Sequence, residues 1–199
     1  MTTIIKLLVP KTNQKMNNLV MITKLFLIFL LTIISCSSSV KSLKRNKPCN
    51  QMVLYYHDIL FNGTNQANAT SAVTANDTAL ALLSDGHFGR MIVFDDPVTK
   101  DNHLLSEPVA RAQGFYFYNK KDGYDAWFAF TMVFNSTEHK GTMTIMGADI
   151  MLAKTRDFSV VSGTGDYLMA KGICTVSTDE RQGDYYFRLK MDIKLYECY

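Results

Sequence analysis

Phe187-Arg-Leu-Lys-Met-Asp-Ile-Lys-Leu195 alternates without a break. Phe187, Leu189, Met191, Ile193 and Leu195 fall on one side, and Arg188, Lys190, Asp192 and Lys194 on the other. A period of two, rather than 3.6, predicts a β-strand with one buried face. Working back along the chain, Phe128, Phe130, Met132 and Phe134 repeat the pattern. Their alternate neighbours Trp127, Ala129, Thr131 and Val133 are themselves fairly apolar, so both faces of that strand are expected to be covered.

The same period predicts strands over Val53–Phe61, Phe88–Phe94, Ala112–Tyr118, Gly141–Met146, Asp157–Val161 and Tyr167–Ser177. Turn chemistry separates them: Asn62-Gly63, Asp95-Asp-Pro97, Lys121-Asp-Gly123, His139-Lys-Gly141, Gly147-Ala-Asp149, Ser162-Gly-Thr-Gly165 and Gln182-Gly-Asp184. No long amphipathic helix is evident. About eight strands with short connections favour an all-β fold, an eight-stranded antiparallel β-barrel, because closure removes exposed edges. A β-sandwich is the alternative. A barrel of this size is just wide enough for one small ligand. Residues 65–86, rich in Asn, Ala, Thr and Ser, read as a long loop near a barrel mouth.

Residues 1–40 read as a secretory signal. Lys24 precedes the short apolar run Leu25–Ile34, which gives way to small polar residues, with cleavage expected between Ser35 and Ser42. Met16 and Met21 are alternative starts. The apolar run is shorter than the roughly 20 residues of a membrane span. Residues 41–48 follow as a flexible basic linker, and residues 49–199 form one domain. The leader holds Lys6, Lys11, Lys15 and Lys24 and no acid, so seventeen Lys and Arg face all eighteen Asp and Glu in the remainder. A near-neutral domain argues against a nucleic-acid surface or an electrostatic membrane patch.

Secretion gives the cysteines and asparagines a context. Once Cys36 leaves with the signal, Cys49, Cys174 and Cys198 remain, and an odd count implies one bridge and one free thiol. Joining Cys49 to Cys198 would close nearly the whole domain, stabilising it by roughly 4–5 kcal/mol through lost chain entropy. Cys174, within an apolar stretch, reads as a buried thiol; the alternative leaves all three reduced. Sequons at Asn62, Asn68, Asn76 and Asn135 are candidate glycosylation sites on surface loops.

Catalytic signatures are sparse. There is no G-x-S-x-G elbow. His57, His87, His103 and His139 are scattered, with no spacing suited to zinc, so no metal site and no cofactor are expected. Ser162–Gly165 reads as a hairpin turn rather than a phosphate loop. What stands out is charge set among large apolar residues: Asp58 after His57, Asp149 after Met146-Gly-Ala, and Arg156 beside Asp157. Such charges must face solvent, a partner or a cavity. One reading is a structural ion pair of Arg156 with Asp157 or Asp149. The other is a pair of carboxyls inside the barrel, acting as acid and base or holding phenol hydroxyls. Tyr116 and Tyr118 share one side of their strand, Phe115 and Phe117 the other, so an aromatic wall is available for core packing or for stacking on a flat ligand.

Tyr55-Tyr-His-Asp-Ile-Leu-Phe61, Val93-Phe-Asp-Asp-Pro97, Pro108–Tyr118, Val133-Phe-Asn-Ser-Thr137, Gly147-Ala-Asp149, Thr155-Arg-Asp157, Gly163-Thr-Gly-Asp166 and the ending Lys190–Tyr199 together resemble the dirigent proteins of plants, over essentially all of residues 48–199. The resemblance is greatest to the pinoresinol-forming subgroup. It implies an eight-stranded barrel related to allene oxide cyclase and lipocalins, assembled as a homo-oligomer, with a trimer expected and a dimer the alternative, and secreted to the extracellular space and cell wall (the apoplast). It further implies a function in lignan biosynthesis. A separate oxidase, a laccase or peroxidase, would make coniferyl alcohol radicals. The barrel would then steer their 8–8′ coupling to pinoresinol without oxidising anything, as an auxiliary protein rather than an enzyme.

By the same resemblance Asp58 and Asp149 are the carboxyls that hold or protonate the coupled intermediate. Tyr116, Tyr118, Arg156 and Phe187 line the substrate pocket. Cys49 and Cys198 match the family's disulfide, and Asn68 and Asn135 its recurrent glycosylation positions. Ser162 stands where the family usually has Gly, in a turn expected to need positive φ, and residues 76–86 depart from the usual Gly-rich segment. Glu138–Thr142 and Ile145–Met151 look more like the formers of (−)-pinoresinol than of (+)-pinoresinol. Two other functions stay open: a cyclase or dehydratase acting on quinone methides through Asp58 and Asp149, and a passive binder of phenolic ligands.

Overall fold

The computed structural model describes residues 20–29, 47–74 and 87–198. Contacts divide the chain into Met1–Leu43 and Lys44–Tyr199. In the first unit residues 20–29 form a helix with exposed side chains, falling in the expected leader. Among the described residues no helix is long and apolar enough to cross a membrane. The expected cleavage region and most of the linker lie outside the described residues.

The second unit is built from β1 (Asn50–Ile59), β2 (Ser71–Val73), β3 (Met91–Thr99), β4 (Ala110–Tyr118), β5 (Ala126–Asn135), β6 (Lys140–Asp149), β7 (Arg156–Gly165), β8 (Lys171–Gln182) and β9 (Tyr186–Glu197). Neighbours run in the order β1-β9-β8-β7-β6-β5-β4-β3-β2, all antiparallel, and β1 returns to pair with β3. Closure of the eight long strands gives the expected barrel, with β2 added at the seam. That seam is narrow: β1 and β3 share only Tyr55↔Thr99 and Tyr56↔Val98. By contrast β1 and β9 pair over ten residues, from Asn50↔Leu195 to Ile59↔Tyr186.

Three expected turns are strand. Asp95–Pro97 continues β3, with Pro97 opposite Arg111. Gly147–Asp149 continues β6, with Asp149 opposite Ala126. Ser162–Gly165 continues β7 after a register shift that leaves Val161 without a partner on β6. Bulges let a strand absorb residues that local chemistry would assign to a turn. Ser162 therefore does not need positive φ; Gly165 carries it, at φ 61°. Conversely, residues 167–170, expected at the head of a strand, form a turn, and β8 starts at Lys171. The 65–86 segment contains the three-residue β2, and its residues 75–86 lie outside the described part.

The interior is graded along the barrel axis. One end is filled by Val98, Ala112, Met132, Met143, Ile193 and Leu195, all at most 2% exposed. The middle is an aromatic layer, and the far rim carries the buried charges. Cys49 and Cys198 form the expected disulfide, with Cα atoms 6.3 Å apart, and Cys174 is a buried free thiol. Asn62, Asn68 and Asn135 are exposed; Asn76 lies outside the described residues.

Candidate functional site

Antiparallel order brings the candidate residues to one rim. The C-terminal ends of β1, β4, β6 and β8 meet the N-terminal ends of β5, β7 and β9 there. Asp58, Tyr118, Asp149, Arg156 and Phe187 therefore share that end, though the sequence scatters them over some 130 positions.

Asp149 and Arg156 are both buried, facing each other across the β6–β7 connection. Arg156 Nε donates to Asp149 Oδ1 at 2.6 Å, and Arg156 Nη1 donates to Thr178 Oγ1 at 3.1 Å. Both side chains are 3% exposed. Of the two structural pairings open from sequence, Arg156 makes the one with Asp149; Asp157 instead accepts from Thr175 Oγ1 on the outer face. Burial pushes the Asp149 carboxyl up against the opposing pull of Arg156. The pair is a fixed arm holding a carboxyl whose charge is only partly favoured.

Asp58 sits at the seam. It is buried, opposite Phe187 in the β1–β9 ladder, and accepts a short hydrogen bond from Ser71 Oγ of β2. Burial raises its carboxyl to about 6, the Ser71 hydroxyl working the other way. Beyond Tyr56↔Val98 the strands β1 and β3 part, and residues 70–71 wedge between them. Thr70 N–H donates to the Ile59 carbonyl, and Asp95 N–H donates to the Thr70 carbonyl. Extending the β1–β3 register by two residues sets Asp58 opposite Asp96 of β3.

Asp96 is fully buried, and sequence reading passed it over because Asp95-Asp-Pro97 looked like a turn. The signal was present: Ile92, Phe94 and Val98 share its phase, so an inward carboxyl stands in an apolar row. Burial, then repulsion from Asp58, pushes the Asp96 carboxyl well above the usual range. The Thr70 and Tyr56 hydroxyls approach it and pull it the other way. Even so, neither Asp96 oxygen nor Tyr56 Oη meets hydrogen-bond geometry with a partner among the described residues.

Between the two acidic sites runs the aromatic layer. Phe158 stacks on Phe128 (5.6 Å, 24°) and Phe128 on Tyr116 (4.6 Å, 13°); Tyr116 tilts against Phe94 (6.2 Å), and Phe94 meets Tyr56 edge-on at 5.6 Å. Tyr116 is thus core as well as wall, and burial drives its phenol far above the ordinary range. Tyr118, half-buried, stands edge-on to Tyr116 at 5.9 Å and, on its other side, to His87 at 5.3 Å. The Phe187 ring carries the Arg181 guanidinium 5.5 Å above its centroid. Contacts of this kind present flat faces and polarised edges to an aromatic guest.

An open cleft of about 580 Å³ lies elsewhere, lined by Phe61, Gln66, Val93, Asp95 and the outer side of β2. Val93 and Asp95 point away from the barrel interior, so this cleft touches the acidic seam from behind, through Thr70, Ser71 and Phe94. The buried carboxyls lie at the rim instead.

Residues 49–196 match the family model described as Dirigent-like protein. Dirigent protein 5 of Arabidopsis thaliana is 56% identical over 174 residues, covering 87% of this chain and 93% of that protein. A dirigent protein of Sinopodophyllum hexandrum is 50% identical, covering 88% and 94%. Among solved structures, two pterocarpan synthase dirigent proteins superpose with TM-scores of 0.64 and 0.66 at 23% and 22% identity. The first alignment covers 73% of this chain and 83% of its counterpart, the second 75% and 96%. At that identity the likeness is one of fold.

Proposed function

The chain belongs to the dirigent-like family, and on that premise we propose that it guides the stereoselective 8–8′ coupling of coniferyl alcohol radicals to pinoresinol in lignan biosynthesis. The radicals come from a separate oxidase, a laccase or peroxidase, and the barrel acts outside the cell, in the apoplast, as a homo-oligomer. The observation that carries this reading is the pair of buried acidic sites, Asp58 and Asp149, on one barrel rim with an aromatic layer between them.

The coupling step joins two carbon radicals and needs no acid. Its product, a bis-quinone methide, must take up protons at its quinone oxygens while its side-chain hydroxyls close on the exocyclic carbons. Asp58, titrating near 6, can hold and give such a proton. Asp149, fixed by Arg156, offers a second carboxyl at the other wall. Tyr116, Tyr118 and Phe187 supply flat surfaces that set which faces of the two radicals meet, so the protein contributes orientation rather than oxidising power. The stretches 138–142 and 145–151 favour (−)-pinoresinol.

The deciding experiment adds the protein to laccase and coniferyl alcohol and resolves the pinoresinol by chiral chromatography. Excess (−)-enantiomer is expected. A racemate matching laccase alone overturns the reading. Acid–base work on a pre-formed quinone methide is the second reading, favoured by the carboxyl of Asp58 standing near 6. It requires product formation from that substrate with no oxidase present, and loss of rate in Asp149→Asn.

A further inference from the structure

Asp58 and Asp96 enter the barrel from strands that have just parted, in the same side-chain phase and opposite one another when the β1–β3 register is carried on by two residues. Both are buried. Among the described residues only Asp58 has a hydrogen-bond donor in geometry, the Ser71 hydroxyl; the Thr70 and Tyr56 hydroxyls approach Asp96 without meeting that geometry. Two carboxylates facing one another without solvent cannot both stay charged, so one must keep a proton. The donor on Asp58 holds its carboxyl lower than that of Asp96, so of the two Asp58 gives up its proton first and Asp96 keeps its own longest.

We propose that Asp58 and Asp96 form a proton-sharing dyad across the barrel seam, in which Asp96 is a positioning residue that holds a reserve proton and returns it to Asp58. The inference rests on the reading above that Asp58 exchanges a proton with the ligand. When Asp58 gives its proton to a quinone oxygen, the Asp96 carboxyl protonates the Asp58 carboxylate, and the proton released by the side-chain hydroxyl as it closes on the exocyclic carbon restores the dyad. At each transfer one O–H bond breaks and one forms, and no electrons change hands.

The groups around the dyad accord with this division. From β1 come Tyr56 and Asp58, and from the β2 side Thr70 and Ser71. From β4 come Arg111, which lowers Asp96 weakly from the outer face, and Tyr116, which feels both carboxyls. No cation among the described residues forms an ion pair with either carboxyl. Asp96 thus sits where protonation is the cheapest way to be buried.

The test is a carboxyl ¹³C NMR titration of the wild-type protein, Asp58→Asn and Asp96→Asn, read beside the pH profile of chiral coupling. In wild type the pair should titrate in two separated steps. Asp96→Asn should remove the upper step, and Asp58→Asn should move it down by at least one pH unit, because the repelling neighbour is gone. The alkaline limit of enantiomeric excess should fall by about one pH unit or more in Asp96→Asn, with the excess at acidic pH retained. An upper step that survives in Asp96→Asn, or stays in place in Asp58→Asn, overturns the dyad. An unmoved alkaline limit overturns the proton reserve. Racemic product at every pH in wild type would instead overturn the coupling function, and the titration would still decide the dyad.

Discussion

Arg156 Nε lies 2.6 Å from Asp149 Oδ1, and both side chains are sealed from solvent. A buried ion pair brings little net stability, but removing one partner strands the other charge in a low-dielectric setting, at about 3–5 kcal/mol.

Arg156→Leu should therefore unfold at a much lower denaturant concentration, by roughly 3 kcal/mol or more. The doubly neutral Arg156→Leu/Asp149→Leu should recover most of that loss. Urea titration of the three proteins checks it. Full cost in the double variant would mean that packing, and not the stranded charge, is what Arg156 provides.

Two buried groups at the seam oppose each other in the pH dependence of stability. Asp58 is raised to about 6, so the folded state holds a proton that the unfolded state has released, and stability falls as pH rises through about 4 to 6. His57 makes hydrogen bonds to Tyr186 Oη and Thr99 Oγ1 at 2.9 and 2.8 Å. Burial first, then Arg188, lowers it to about 4, so stability rises with pH from about 4 to 6.5. Each contribution is on the order of 3 kcal/mol. Asp58→Asn removes the falling Asp58 limb while His57, Asp96 and Asp149 stay: the difference in unfolding free energy between variant and wild type, measured from pH 4 to 6.5, should shift in favour of the variant as pH rises and level off above about 6.

The disulfide joins residues 149 apart. In the chain-entropy model a loop of that length is worth about 5 kcal/mol. Cys49→Ser, or reduction of the wild-type protein, should lower the unfolding free energy by up to that amount. Cys174→Ala should cost far less, since it removes one small buried thiol.

Gly114 lies under the aromatic layer, where β4 meets β5. A Cβ there would stand 2.2 Å from the Ala129 carbonyl oxygen and 2.5 Å from Phe130 Cβ, so the strands would have to separate. Gly114→Ala should cost about 3 kcal/mol or more, seen as a large drop in Tm with loss of near-ultraviolet aromatic dichroism.

Much of the fold was legible because a half-buried strand advertises itself by period two, and all eight long strands did so. What escaped was set by distant partners. Pro97 and Gly147 look like breakers, yet each is carried by its neighbours in the ladder. β2 is three residues long and exists because β1 and β3 diverge beside it. The rim residues Asp58, Asp149 and Arg156 were readable as charges in apolar company. Asp96 stands in the same kind of apolar row but was masked by the turn-like Asp95-Asp-Pro97, and Ser71 was not readable, since its meaning comes from a seam whose register no local pattern encodes.

The disulfide and the ten-residue β1–β9 ladder bring the start and finish of the domain to the end of the barrel opposite the acidic rim. At about 3.3 Å per residue, that ladder sets them some 30 Å from Asp58. An affinity tag, a surface linkage or a fused oxidase joined beyond Cys198 would therefore hold the barrel by its base and leave the mouth facing outward, free to meet radicals diffusing from whatever generates them.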